Sequence, residues 1–132
     1  MRFMLLQNYG PVESGMGPMH EWSEADVQAH IEFQIALNHE LVASGELLDA
    51  QGLAGPEAAR FVVSDGAGPP VVSDGPFPET KELVAGYRLV EVVSLDRAVE
   101  IAARVSAAPG IGGVPIRQVI EVREVFSDPE LT

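Results

Sequence analysis

The sequence contains no cysteine and few cationic side chains. Without cysteine the chain has no disulfides, no thiolate zinc ligands and no cysteine nucleophile. Lysine and arginine together number 8, against 20 aspartates and glutamates, which gives a formal net charge of −12. An acidic surface of this kind repels the phosphates of nucleic acids and the headgroups of anionic lipids. We therefore expect no nucleic-acid partner.

Long apolar runs are also missing. No stretch approaches the ~20 consecutive apolar residues of a membrane-spanning helix, so no membrane partner is expected. Gln7 and Asn8 interrupt the short apolar patch near the start, which is unlike a signal peptide. These absences predict a cytoplasmic protein. A chain of 132 residues, 46% of them hydrophobic, predicts one domain over residues 1–126 and a flexible tail over residues 127–132.

The alternation of apolar and polar residues predicts the order β-α-β-hairpin-β-α-β. We expect strands over residues 2–9, 47–53, 59–64, 71–73, 84–93 and 116–126. Ser23 and Ser94 are placed as N-caps of two helices, which run to about Ala43 and Val105. This order is typical of an α+β fold with two helices on one face of a sheet. The other face then needs a cover, and a homodimer would supply one.

The first predicted helix carries three polar residues along an otherwise apolar face. The apolar positions at 100° intervals are Val27, Ile31, Leu37, Leu41 and Val42. His30, Gln34 and Asn38 lie within this face at i, i+4 and i+8. Because buried polar groups need partners, they are either solvated at the margin of the face or satisfied by backbone, or else they line a pocket between helix and sheet. The loop over residues 10–22 holds the only tryptophan and is either a wall over such a pocket or packing at the domain edge.

The most particular stretch follows the predicted hairpin. Asp74-Gly75-Pro76-Phe77 has the residues of a turn, and Glu79 and Lys81 come soon after it. Asp74 is a candidate acid or base, although aspartate also begins turns by accepting backbone hydrogen bonds. Phe77 either stacks on a ligand or anchors the loop, and Glu79 with Lys81 forms either a charged binding rim or a surface ion pair. Because cations are scarce, Lys81 and Arg123 are candidate anchors for an anionic group.

This stretch resembles the signature of the DGPF domain, a branch of the YCII-related proteins. The resemblance runs from Met1 to about Phe126, and includes Arg2-Phe3-Met4-Leu5-Leu6 and Ile120-Glu121-Val122-Arg123. It implies a ferredoxin-like α+β fold that pairs face to face as a dimeric α/β barrel. More distant members are thought to use a histidine of the first helix with an aspartate. A gapless comparison back from Leu47-Leu48 places the position of that histidine near Gln34, one turn from His30.

No metal or cofactor is predicted, because His20, His30 and His39 are ten and nine residues apart and no phosphate-binding loop is present. One hypothesis is that the protein binds a polar small molecule in a helix–sheet cleft, with Asp74 and His30 as catalytic acid and base. In that cleft Gln34, Asn38, Phe77, Glu79, Lys81 and Arg123 would bind the ligand. The alternative is a binding, regulatory or structural dimer without turnover. The resemblance implies an association with transcription regulation, because DGPF proteins are often encoded near sigma-type factors.

Overall fold

The computed structural model describes residues 1–74 and 83–126 of the chain. The predicted tail over residues 127–132 and the predicted site residues Phe77, Glu79 and Lys81 lie outside the described residues. The described strands are β1 Arg2–Asn8, β2 Leu47–Gly52, β3 Arg60–Val63, β4 Val71–Asp74, β5 Val84–Glu91 and β6 Ile120–Glu124. The α-helices are α1 Glu24–Ala43 and α2 Leu95–Ser106. Among the described residues, no helix is long and apolar enough to cross a membrane.

The main sheet has the order β2-β5-β1-β6, and each neighbouring pair is antiparallel. The β3–β4 hairpin forms a separate two-stranded sheet in the described part of the chain. This arrangement confirms the predicted α+β class with an extra hairpin, and it is compatible with a ferredoxin-like fold. The face-to-face dimer stays a prediction.

Local sequence signals set the helix starts. The Ser23 hydroxyl accepts a hydrogen bond from the Asp26 amide at 3.2 Å, and Ser94 does the same for the Arg97 amide at 3.2 Å. Each bond satisfies one of the free amides at a helix N-terminus. Both predicted N-caps are confirmed. Gly45, just after α1, has a φ of +77°, the left-handed conformation that glycine adopts most easily.

One core lies between the two helices and the inner face of the sheet. It is built from Phe3, Leu5, Leu37, Leu41, Val90, Val92, Ala98, Ile101, Ala102 and Val105. The apolar face that the sequence predicted for α1 was too wide. Ile31 and Val42 are 43% and 61% exposed. At 100° per residue both lie more than a quarter-turn from Leu37, beyond the arc that meets the sheet.

The last strand begins at Ile120 rather than at residue 116, so its predicted start was wrong. The Ile116 amide donates to Ala108 O and the Arg117 amide to Ser106 O, both at 2.9 Å. Arg117 has a φ of +59°, which breaks an extended strand. Residues 116–118 are therefore tied to the end of α2, and this connection holds the neighbouring Pro109 carbonyl beside α1.

Strand alternation places a second set of apolar residues on the sheet face that the helices leave uncovered. Met4 pairs with Leu89, and Leu6 pairs with Tyr87. Their neighbours Phe3, Leu5 and Val90 belong to the core, so these four side chains point the other way. All four are half-buried in the single chain.

Candidate functional site

A cleft of about 370 Å³ lies between α1 and the inner face of the sheet. The three polar residues of α1, His30, Gln34 and Asn38, line it and are all half-buried. Strands β2 and β5 form its floor. The other lining residues are Gln7, Met19, Ala50, Gln51, Gly52, Ala85, Tyr87, Arg88 and Gln118. The structure thus brings the predicted polar stripe together at a pocket, one of the two positions that the sequence left open.

Arg88 of β5 is the central polar group of this cleft, and the sequence did not single it out as a site residue. Only 5% of its surface is exposed. Its Nε donates to Asn38 Oδ1 at 2.8 Å, and its Nη2 donates to Gln34 Oε1. Burial lowers the pKa of Arg88, because removal from water disfavours the charged form. The one available signal was that Arg88 alternates with Val90 and Val92 and so faces the core.

The hydrogen bonds of Arg88 fix the orientation of Gln34 and then of His30. Because Gln34 Oε1 accepts from Arg88, its Nε2 is the atom that lies 3.4 Å from His30 Nε2. His30 Nδ1 lies 3.0 Å from the Pro109 carbonyl oxygen, which can only accept. The proton of the neutral ring therefore sits on Nδ1, and Nε2 keeps its lone pair. A basic nitrogen is thus held at the wall of the cleft.

A second cavity of about 510 Å³ adjoins the first. Met19, His30, Ala85 and Gln118 line both. Most of the remaining wall comes from the loop over residues 10–22. In that loop the Trp22 ring meets His30 edge to face, with centroids 5.8 Å apart, and its Nε1 donates to Gly17 O at 2.9 Å. The loop therefore forms a largely apolar wall beside the histidine.

Carboxylates are absent from both cavities as far as the described residues go. Apart from Tyr87, whose side chain points to the uncovered face, their polar side chains are one guanidinium, one imidazole, the Tyr9 hydroxyl and amides, including Gln7 and Gln118, whose side chains approach to 3.5 Å. Within residues 1–74 and 83–126, no three histidine or acidic side chains are grouped closely enough to hold a metal ion. The chemistry available is hydrogen bonding, one fixed positive charge and proton transfer at His30.

Asp74 and Arg123, two of the predicted site residues, lie away from the cleft. Asp74 ends β4 with a side chain 82% exposed, and its Oδ1 lies 3.1 Å from Arg60 Nε. It lines neither of the two cavities. Arg123 pairs with Met4 across the sheet and so lies on the uncovered face, 3.5 Å from Glu121. Their functional roles stay predictions.

A four-stranded antiparallel sheet, two helices on one face and a polar cleft beneath the first helix define an α+β protein that is compatible with a ferredoxin-like fold. The sequence model of the YCII-related domain matches residues 1–123, so the chain belongs to that family, and the predicted membership is confirmed. The chain is similar to an uncharacterized protein of Rhizobium meliloti (strain 1021). The two are 33% identical over 97 residues, which cover 73% of this chain and 77% of that protein.

Proposed function

We propose that the protein binds a polar small molecule in the cleft between α1 and the sheet, and that His30 exchanges a proton with it. The observation that carries the proposal is the chain of hydrogen bonds from Arg88 through Gln34 and His30 to the Pro109 carbonyl. In the neutral ring these hydrogen bonds place the proton on Nδ1, so that the lone pair of His30 Nε2 lies at the cleft wall. A general base needs a lone pair within hydrogen-bond reach of its substrate.

The contact between Gln34 Nε2 and His30 Nε2 is long, at 3.4 Å. A ligand hydroxyl or amine that approaches to an ordinary hydrogen-bond distance would displace it at little cost. Asp74 is exposed and outside both cavities. The proposal therefore assigns the acid–base step to His30 alone and leaves Asp74 out of the reaction.

The proposal is tested by nuclear magnetic resonance with a library of small polar compounds that are neutral, cationic and anionic. Binders should shift the amide signals of Gln34, Asn38 and Ala50. Gln34→Ala should weaken these binders, whereas Gln28→Ala should not, because Gln28 is an exposed residue of the same helix that donates to Glu32. If no compound of any charge shifts the cleft signals, the binding function is refuted.

A second candidate is binding without turnover, as in a regulatory module. It is favoured by the fact that His30 Nε2 already faces a donor, the Gln34 amide. The same spectra separate the two, because a substrate changes with time and a plain ligand does not. Conversion that disappears in His30→Asn while binding persists would support the acid–base role. Binding without conversion of any compound would support the regulatory role.

We also propose that two copies associate through the uncovered sheet face. Met4, Leu6, Tyr87 and Leu89 present a contiguous apolar surface there, and a sheet face of this kind is normally covered. Analytical ultracentrifugation tests this. Leu89→Glu should shift the protein toward monomer, whereas Ile35→Glu, on the exposed side of α1, should not. A wild-type protein that remains monomeric at all concentrations would contradict the proposal.

A further inference from the structure

We infer that the ligand of the cleft is an organic anion with one negative charge, a carboxylate with an apolar body, held by the free edge of Arg88. The inference depends on the proposed function and narrows its ligand class from polar compounds in general to carboxylates. Arg88 differs from the other arginines of the chain in the partners of its side chain.

Arginines of this acidic protein generally have carboxylate partners. Five of the seven are paired, namely Arg2 with Glu91, Arg60 with Asp74, Arg97 with Glu46 and Glu100, Arg104 with Glu40 and Arg123 with Glu121. Arg117 is exposed. Arg88 is buried, yet among the described residues its side-chain partners are only the neutral amides of Gln34 and Asn38. A buried cation without a counter-ion is destabilising, so this arrangement calls for an anion from outside.

The guanidinium also has donors to spare. Nε and Nη2 each donate a hydrogen bond, whereas Nη1 donates none within the described residues. No described buried side-chain nitrogen is sealed from solvent without a partner, so Nη1 opens to the cleft that Arg88 lines. Asn38 lines the same cleft, and its amide nitrogen likewise donates no hydrogen bond within the described residues. A carboxylate accepts at two oxygens and suits two such donors.

Charge balance favours a carboxylate over a phosphate. The described residues that line the cleft supply one fixed positive charge and no negative one. A phosphate monoester carries about −1.5 to −2 at neutral pH, which would leave excess negative charge inside a protein that is already strongly acidic. A carboxylate balances Arg88 one for one.

The adjoining cavity gives room for an apolar body on that carboxylate. It shares His30 and Met19 with the cleft, and its further wall includes Pro11, Val12, Met16 and Trp22. Apolar walls with a few fixed polar groups are typical of small-molecule sites. An anionic head at Arg88 and an apolar part against this wall would occupy both spaces.

The test is calorimetric titration with benzoate, hexanoate and acetate, compared with neutral benzamide and with inorganic phosphate. At least one carboxylate should bind, and benzoate should bind at least tenfold more tightly than benzamide. Arg88→Gln should weaken that carboxylate by about tenfold to a hundredfold, since a hydrogen bond to a charged group contributes about 1.5–3 kcal/mol. Arg104→Gln removes the same charge at the exposed pair with Glu40 and should leave the affinity unchanged.

Arg88→Lys keeps the charge without the planar fork and provides a second variant where Arg88→Gln does not fold. It should still bind benzoate in preference to benzamide, but less tightly than the wild type. Equal affinity for benzoate and benzamide, unchanged binding in Arg88→Gln, or tighter binding of phosphate than of any carboxylate would each overturn the inference. If neutral compounds occupy the cleft and no carboxylate does, the inference fails while the proposed binding function stands.

Discussion

Replacing Glu46 by glutamine should destabilise the protein at neutral pH and have little effect near pH 2. Glu46 follows α1, and both of its carboxylate oxygens accept hydrogen bonds from Arg97 of α2 at 2.8 Å. Only 18% of the Glu46 side chain and 31% of the Arg97 side chain are exposed. These hydrogen bonds, with a smaller one from the Ser44 hydroxyl, lower the pKa of Glu46 from 4.5 to about 2.

The size of the effect follows from that shift. Each pKa unit corresponds to about 1.4 kcal/mol, so the full shift would contribute about 3 kcal/mol. Because the pair is partly exposed and solvent screens it, we expect about 1–2 kcal/mol. A carboxyl with a lower pKa in the folded state stabilises the fold above its unfolded pKa. The contribution of Glu46 is therefore complete above about pH 4.5 and disappears as the pH falls toward about 2.

Urea unfolding of wild type and Glu46→Gln between pH 7 and pH 2 measures this directly. The difference in the free energy of unfolding should shrink as the pH falls through that window. Glu100→Gln is the matched control, since Glu100 pairs with the same arginine but is much more exposed. It should cost less than about 0.5 kcal/mol. A Glu46→Gln difference that is the same at pH 7 and pH 2 would refute the reasoning.

Three further substitutions test the fold and the position of Asp74. Gly86→Ala should destabilise by about 1–3 kcal/mol in urea unfolding, because a Cβ there would lie 2.9 Å from the Gln51 carbonyl oxygen. Leu41→Ala, in a fully buried position, should cost about 2–5 kcal/mol in the same assay. Asp74→Asn should cost less than about 1 kcal/mol, since its pair with Arg60 is exposed, and a loss of several kcal/mol would contradict the observed exposure.

The fold could be predicted from the sequence where local residues determine the structure. Ser23 and Ser94 begin helices because a hydroxyl satisfies a free amide within the same turn, whatever the rest of the chain does. The start of β6 was missed because it depends on a distant contact. Alternation over residues 116–119 suits a strand, but the amides of residues 116–118 donate to carbonyls at and just after the end of α2. Sequence alternation cannot show which distant segment takes those bonds.

For the candidate site, the sequence was enough to place the polar residues of α1 but not their partner on the sheet. Spacing at i, i+4 and i+8 was enough to place His30, Gln34 and Asn38 on one side of α1. It could not show that Arg88 lies beneath them, because the pairing of a helix residue with a strand residue depends on how the two elements pack. Arginine on a strand is also usually at an edge or in solvent, so a buried one is not expected from its type alone.

The Gln34→Glu substitution should make the protein more stable and weaken its binding of a carboxylate ligand. The change is nearly isosteric, and it places a carboxylate where Gln34 Oε1 now accepts from Arg88 Nη2. Arg88 would then have its counter-ion within the chain, so the free energy of unfolding should rise by about 1–3 kcal/mol. Benzoate should bind at least tenfold more weakly, because the new carboxylate satisfies the charge that would attract it.

Gln28→Glu adds the same charge at the exposed side of α1 and should leave the affinity unchanged, while it lowers the stability by about 0.2–0.5 kcal/mol because it faces Glu32. If Gln34→Glu binds benzoate as tightly as the wild type, Arg88 does not attract the ligand by its charge. If the variant gains stability and loses affinity for benzoate, ligand binding explains why Arg88 has neutral amides as its partners. These amides orient the guanidinium of Arg88 but leave its positive charge unpaired. The unpaired charge destabilises the free protein, and a bound carboxylate would neutralise it.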